Sequence, residues 1–172
     1  MGIEVERVGH IGILVSDFER SFKFYTETMG CKVTNRRKGA DGRETAFLRF
    51  GECHHDFVIA TAPQGADVTS SQGGERLIQQ IAFLVKDREA YLEGLAHLYK
   101  HGVTPASKPL VHGPEGGGGV QGSGSRSFYF LDPDGNEIEV FYELSPSQWP
   151  TDLKKFDGKF PLPFNVERLN VS

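Results

Sequence analysis

Glu139 is the residue around which chemistry in this chain would gather. It stands in the run Phe128–Glu143, FYFLDPDGNEIEVFYE, between Ile138 and Val140. A carboxylate set among apolar neighbours is poorly solvated unless something positive meets it, so Glu139 reads as a metal ligand. Two residues fit beside it. His10 lies among Val8, Ile11 and Ile13, and Gln80 holds the matching place in a second apolar run, Ile78–Val85. A lone histidine in such a run is either a hydrogen-bonded core residue or a ligand. One imidazole with one carboxylate suits Fe(II), Mn(II), Zn(II) or Ni(II), whereas an amide oxygen is a weaker ligand, better matched to harder ions.

Acid–base chemistry has its own candidates. His54 and His55 precede Asp56-Phe57-Val58-Ile59. Neighbours in an extended chain point to opposite faces, so these two are not expected to share one metal. They form a solvated strand entrance, or one of them is a general acid/base, since an imidazole titrates close to working pH. Tyr129 is open in the same way. Buried tyrosines mostly pack and satisfy their hydroxyl, but in a metal cleft that hydroxyl would hold a substrate oxygen.

The elements that must position these residues follow from periodicity. Phe128–Leu131 and Ile138–Tyr142 are aromatic and β-branched runs flanking Asp132-Pro133-Asp134-Gly135-Asn136, in which Pro presets φ and Gly supplies a positive φ; this predicts a β-hairpin. Val8–Val15 predicts a strand. Ser16 and Glu19 have capping-box spacing, and Phe18, Phe22, Tyr25 and Met29 recur as the packed stripe of a helix closed by Gly30. Cys31–Arg37, Thr45–Phe50 and Asp56–Thr61 are strand candidates, the first two joined by a turn at Gly39–Gly42. The pattern restarts with a strand at Ile78–Val85 and a helix capped by Asp87 that runs to about His101, with Gly102 as its stop. Superposing the halves lays Val15 on Val85, Asp17 on Asp87 and His10 on Gln80, and a second ungapped match lays Phe47 on Phe128 and Val58 on Glu139. The chain thus looks like a duplicated β-α-β-β-β unit. Pairing of the copies about a pseudo-two-fold axis would bring His10 and Gln80 together.

The expected organisation is a first module over 5–62, a polar linker over 63–75, a second module over 76–143 and an aromatic, proline-containing tail over 144–172. The tail's Trp149, Phe156, Phe160 and Phe164 need burial, so it is expected to wrap the body or a second subunit, which makes a homo-oligomer one expected assembly. The glycine run 116–119 has no Lys-Ser/Thr after it and opens no helix, so it reads as a mobile loop rather than a phosphate cradle. Apolar content of 38% and charged content of 24% are those of a soluble globular chain, and a net charge of -4 offers no basic footprint for nucleic acid or anionic membrane. No apolar run reaches membrane-spanning length, and MGIEVERVGH lacks the regions of a signal peptide. Cys31 and Cys53 lack C-x-x-C spacing and are expected as free thiols in a reducing cytoplasm.

These residues together resemble the vicinal oxygen chelate superfamily, whose members pair βαβββ modules around a metal. The resemblance covers about residues 5 to 143. Within it, HHDFVIAT and FYFLDPDGNEIE are similar to the single-domain extradiol ring-cleaving dioxygenases, through an apolar residue, Tyr129, Asp132, Pro133, Gly135 and Glu139 in step. The resemblance implies an α+β fold of two βαβββ modules and an iron site with His10 and Glu139 as ligands. It also implies His55 as active-site acid/base, Tyr129 as the group that binds the substrate's oxygen, and a small aromatic substrate with dioxygen as partners. This sequence departs from the pattern twice. Gln80 stands where the third ligand histidine is expected, and Val120, Gln121 and Gly122 stand where a histidine should precede Tyr129; an alignment looping through the glycine run would recruit His112 instead. Two other members of the superfamily compete. Glyoxalase I accepts a glutamine ligand, but it expects a carboxylate where the internal match puts Val58. A metal-free binder of the bleomycin-resistance type would accept Gln80 but would not need His10, His55 and Glu139.

Overall fold

The computed structural model describes residues 2–66, 68, 78–112 and 124–143. Most of the 63–75 linker, the glycine run and the aromatic tail lie outside the described residues. The chain forms two compact units, one holding the first half together with Asp132–Asn136, the other holding the rest of the second half.

In the first unit the order is β1 (Ile11–Val15), α1 (Phe18–Lys23), β2 (Lys32–Lys38), β3 (Glu44–Arg49) and β4 (Phe57–Thr61). The sheet runs β1-β4-β3-β2, with β1 parallel to β4 and the other pairs antiparallel. Period-two alternation buries Ala46 and Leu48 of β3 and Phe57 and Ile59 of β4. Helix α1 continues through a wider π-helical turn, Phe24–Thr28, and sets the buried Tyr25 ring 4.8 Å from Phe57. Gly30, at φ 75°, lets the chain turn out of it.

Two local expectations are corrected here. The strand begins at Ile11 rather than Val8, because Ile11 pairs with Phe57, the first residue of β4, and Val8 is left 76% exposed. The cap of α1 is Asp17, whose Oδ1 accepts from the Arg20 N–H at 3.0 Å, while the Ser16 hydroxyl donates to Asp134 instead. Capping-box spacing is a local signal, and a distant buried carboxylate outcompetes it.

The second unit has β5 (Ile81–Leu84), α2 (Arg88–Lys100), β6 (Leu110–Val111), β7 (Arg126–Leu131) and β8 (Glu137–Tyr142), in sheet order β5-β8-β7-β6. Asp87 caps α2 through Ala90 N–H at 3.0 Å, and Gly102 ends it at φ 73°. Phe128, Phe130, Ile138 and Val140 form the core, with Tyr91 of α2 5.0 Å from Phe128. The stretch 108–126 is not all loop. Leu110 and Val111 pair with Ser127 and Arg126, a strand too short for any periodicity to reveal.

Register shows that the halves are copies. Val58 pairs with Gly12 and Phe47; Glu139 pairs with Ala82 and Tyr129. Val58 therefore matches Glu139 as the sequence implies, but Phe47 matches Tyr129, not Phe128, because the first hairpin is one residue longer. The two βαβββ units make this an α+β chain.

The turn Asp132–Asn136 belongs to the first unit. Asp132 Oδ1 accepts from the N–H groups of Asp134 and Asn136 at 2.9 and 2.8 Å, and Gly135 sits at φ 82°. Asp132 Oδ2 accepts from Tyr25 OH at 2.8 Å. Burial first, and then Asp132, push the Tyr25 phenol far up, so it stays a donor. Asp134, its side chain fully buried, receives Arg20 Nη2 at 2.8 Å and Ser21 Oγ at 3.2 Å.

Both cysteines are free, and burial pushes the Cys31 thiol up to about 12, with Asp56 adding to it. Among the described residues no helix is long and apolar enough to cross a membrane.

Candidate metal and acid–base site

In each sheet one face carries the core and the alternate residues face the other way. On β7 and β8 those residues include Ser127, Tyr129 and Glu139. Tyr129 and Glu139 are direct cross-strand partners, which places their side chains on one face. Gln80 precedes β5 by one residue and shares a face with Ala82, the parallel partner of Glu139. His112 follows β6, held by its N–H to Ser125 O at 2.8 Å.

These positions converge on one carboxylate. Glu139 is 6% exposed. Its Oε1 accepts from Ser127 Oγ at 2.6 Å and Tyr129 OH at 3.0 Å, and its Oε2 accepts from Gln80 Nε2 at 2.6 Å. His112 Nε2 stands 2.8 Å from Tyr129 OH and 3.4 Å from Glu139 Oε1. Burial, then the hydrogen bond to Glu139, push the Tyr129 phenol up to about 12. Tyr129 therefore keeps its proton and gives it to Glu139, so the short contact with His112 requires the proton on His112 Nε2.

The chemistry of this donor set fits a divalent cation. Three neutral groups donate to a buried carboxylate, and among the described residues no Lys or Arg forms an ion pair with it, His112 at 3.4 Å being its one partner able to carry positive charge. A carboxylate in that state has strong affinity for a cation. With its Nε2 donating to Glu139, Gln80 keeps Oε1, the atom through which an amide would ligate a metal. Within neither unit, among the described residues, do three His, Cys, Asp or Glu side chains form a ready-made metal cluster.

The first unit holds the imidazoles. His10 lies just before β1 and is exposed, so it is not a packed core histidine, and its ring centroid is 4.5 Å from that of His55. His54 and His55 do not point to opposite faces. They lie in the loop before β4, with their Nδ1 atoms 2.8 Å apart, because the chain there is not extended. Partial burial, then the neighbouring imidazoles of His10 and His54, hold His55 below the usual imidazole range. Phe47 packs edge-on against His55 at 5.2 Å.

The structure thus gathers Gln80, Tyr129 and Glu139 in one unit and His10 and His55 in the other. Sequence reasoning missed Ser127, whose only signal was its place two residues before Tyr129. It raised His112 only through an irregular alignment.

Residues 7–140 match the family model of the Glyoxalase/Bleomycin resistance protein/Dioxygenase superfamily. Catechol-2,3-dioxygenase of Bacillus subtilis (strain 168) is 26% identical over 154 residues, covering 87% of this chain and 46% of that protein. The chain therefore spans about half the length of the curated relative it matches. Among solved structures, the trypanothione-dependent glyoxalase I of Leishmania major superposes with a TM-score of 0.55 at 25% identity, covering 81% of this chain and 88% of that one. A glyoxalase family protein from Enterococcus faecalis shares the fold, with a TM-score of 0.60 at 21% identity and coverage of 79% and 97%. Duplicated units in matching register and a family match along most of the sequence lead to one assignment: the protein belongs to the glyoxalase/bleomycin resistance/dioxygenase, or vicinal oxygen chelate, superfamily.

Proposed function

We propose that this chain is a metal-dependent dioxygenase of the extradiol type, opening the ring of a catechol-like aromatic with dioxygen. The observation that supports this best is the cluster of Tyr129, Glu139 and His112. The signature's histidine is missing just before Tyr129 in this sequence, and His112, which follows β6 and lies 2.8 Å from the tyrosine hydroxyl, is a candidate to take its place. Val58 at the position matching Glu139 speaks against a glyoxalase I site with a second carboxylate.

His10, Gln80 and Glu139 are the proposed ligands, with Fe(II) favoured and Mn(II), Zn(II) or Ni(II) acceptable. When bound, the ion would supply Lewis acidity towards the catechol oxygens and a place for dioxygen. The chain's own groups handle protons. With its Nδ1 against His54, His55 has Nε2 for a substrate hydroxyl, and its depressed pKa keeps that nitrogen ready to accept. It takes a proton from the catechol and later returns it. Tyr129 remains protonated and donates a hydrogen bond to an anionic substrate oxygen. Both atoms of dioxygen enter the product, and no external reductant is required.

Protein purified with iron supplied should contain iron and convert catechol in air to a yellow ring-fission product. Methylglyoxal with glutathione should give no S-lactoylglutathione. His55→Ala should lower turnover by about 100-fold or more with iron content unchanged; loss of iron would make His55 a ligand. The wild-type pH profile should lose activity on the acid side only below the usual imidazole value of about 6.5, because the depressed pKa keeps the base neutral down to that point. An acid limb above that value contradicts the assignment. Gln80→His should slow iron loss to a chelator roughly tenfold, and unchanged loss would show that Gln80 is not a ligand.

A metal-free binding module is the second reading, favoured by one contact: the Gln80 amide already occupies Glu139 Oε2. Absence of both iron and turnover would select it.

A further inference from the structure

The face of the first sheet that carries Phe47 also carries an arginine with no part in the chemistry described so far. Arg37 is the cross-strand partner of Thr45, so its side chain shares a face with Thr45 and Phe47. Its guanidinium carbon lies 5.3 Å from the Phe47 ring centre, and the same ring is 5.2 Å from that of His55. An aromatic ring thus lies between the proposed acid/base and a cation. Beside Arg37 opens a groove of about 640 Å³ whose lining includes Leu14, Lys38, Arg43, Thr45 and Ala60.

Charge in this groove is unevenly spent. Glu44 is held by Arg36 at 2.9 Å and Lys38 at 3.8 Å, and Asp41 is held by Arg43 at 2.6 Å. Among the described residues no carboxylate lies within ion-pair distance of Arg37. Its guanidinium lies over the Phe47 ring as a cation–π pair, which uses none of its N–H donors and leaves them for a ligand. The groove itself is mixed: Leu14, although apolar, is 46% exposed and lies in its wall. A cationic fork over an aromatic ring, next to an apolar wall, matches a planar carboxylate on a short organic arm.

We propose that the ligand of this protein carries a carboxylate side arm, bound by Arg37, with its aromatic ring directed along Phe47 towards His55. The substrate class becomes an anionic, arm-bearing catechol rather than catechol itself. The assignment of the reacting ring rests on the dioxygenase reading, whereas the carboxylate site at Arg37 does not.

The test uses ligands that cannot react. Iron-free full-length protein is titrated calorimetrically with 3-phenylpropanoate and with its neutral amide. The acid should bind at least tenfold tighter than the amide. Arg37→Gln should bring the two within twofold of each other, Arg37→Lys should keep part of the preference, and Lys100→Gln on α2 should leave it unchanged. Equal binding of acid and amide by the wild type, or a preference that survives Arg37→Gln, would overturn the site. Should the acid preference hold while neither carboxylated nor neutral catechols are turned over, only the dioxygenase reading fails. Should carboxylated and neutral catechols be turned over with equal KM, only the Arg37 site fails.

Discussion

Glu139→Ala is expected to lose bound iron and ring-opening activity together, with little change in folding stability. Loss of a group that only supports a ligand costs roughly 10–100-fold in metal affinity or activity, so loss of the ligand itself should exceed about 100-fold in both. Stability follows a different balance. The buried Ser127 hydroxyl and the Gln80 amide lose their acceptor, at roughly 1–3 kcal/mol for a buried unsatisfied group. The metal-free protein, in turn, no longer buries a charge. The two effects oppose, so the urea midpoint should move little while iron content collapses. A variant that unfolds at much lower urea would make Glu139 a structural residue. One that keeps both iron and activity would remove it from the site.

Asp134→Ala should do the reverse, with a loss of stability as its primary effect. The Asp134 side chain is fully buried and receives Arg20, Ser16 and Ser21 from the start of α1. Removing one member of a buried pair costs about 3–5 kcal/mol. Arg20 is 48% exposed and regains water when stranded, so the loss should fall near 3 kcal/mol, a large share of a typical total of roughly 5–15 kcal/mol. Asp134→Asn keeps an acceptor for the serines and should cost less. Urea denaturation with an unchanged m-value measures this. A loss below about 1 kcal/mol would show that this turn is not an anchor of the first unit.

What could be read from the sequence depended on the range of the signal. The apolar runs Phe128–Leu131 and Ile138–Tyr142 and the caps at Asp87 and Gly102 are local signals, and with the ungapped matches between the halves they disclose the duplicated α+β fold. Asp132-Pro133-Asp134-Gly135 disclosed a turn but not its fastening, because Ser16, Ser21 and Tyr25 lie more than a hundred residues earlier and form no pattern with it. The same carboxylate drew Ser16 away from the capping role that its spacing advertised. The strands start later than their apolar runs at Val8 and Ile78 suggest, because the first cross-strand pairs are Ile11 with Phe57 and Ile81 with Ile138. Glu139 stood out as a charge among apolar residues. His112 did not, because its link to Tyr129 is made across the β6–β7 pair and outside the spacing of the family signature. His54 and His55 were misplaced by treating a loop as extended chain.

His10, Gln80 and Glu139 are proposed to serve one cation, and anaerobic calorimetric titration of the metal-free protein with Fe(II) puts that to the test. One ion should bind per chain, tighter in Gln80→His and lost in both His10→Ala and Glu139→Ala. Retention of wild-type affinity by either alanine variant would contradict it.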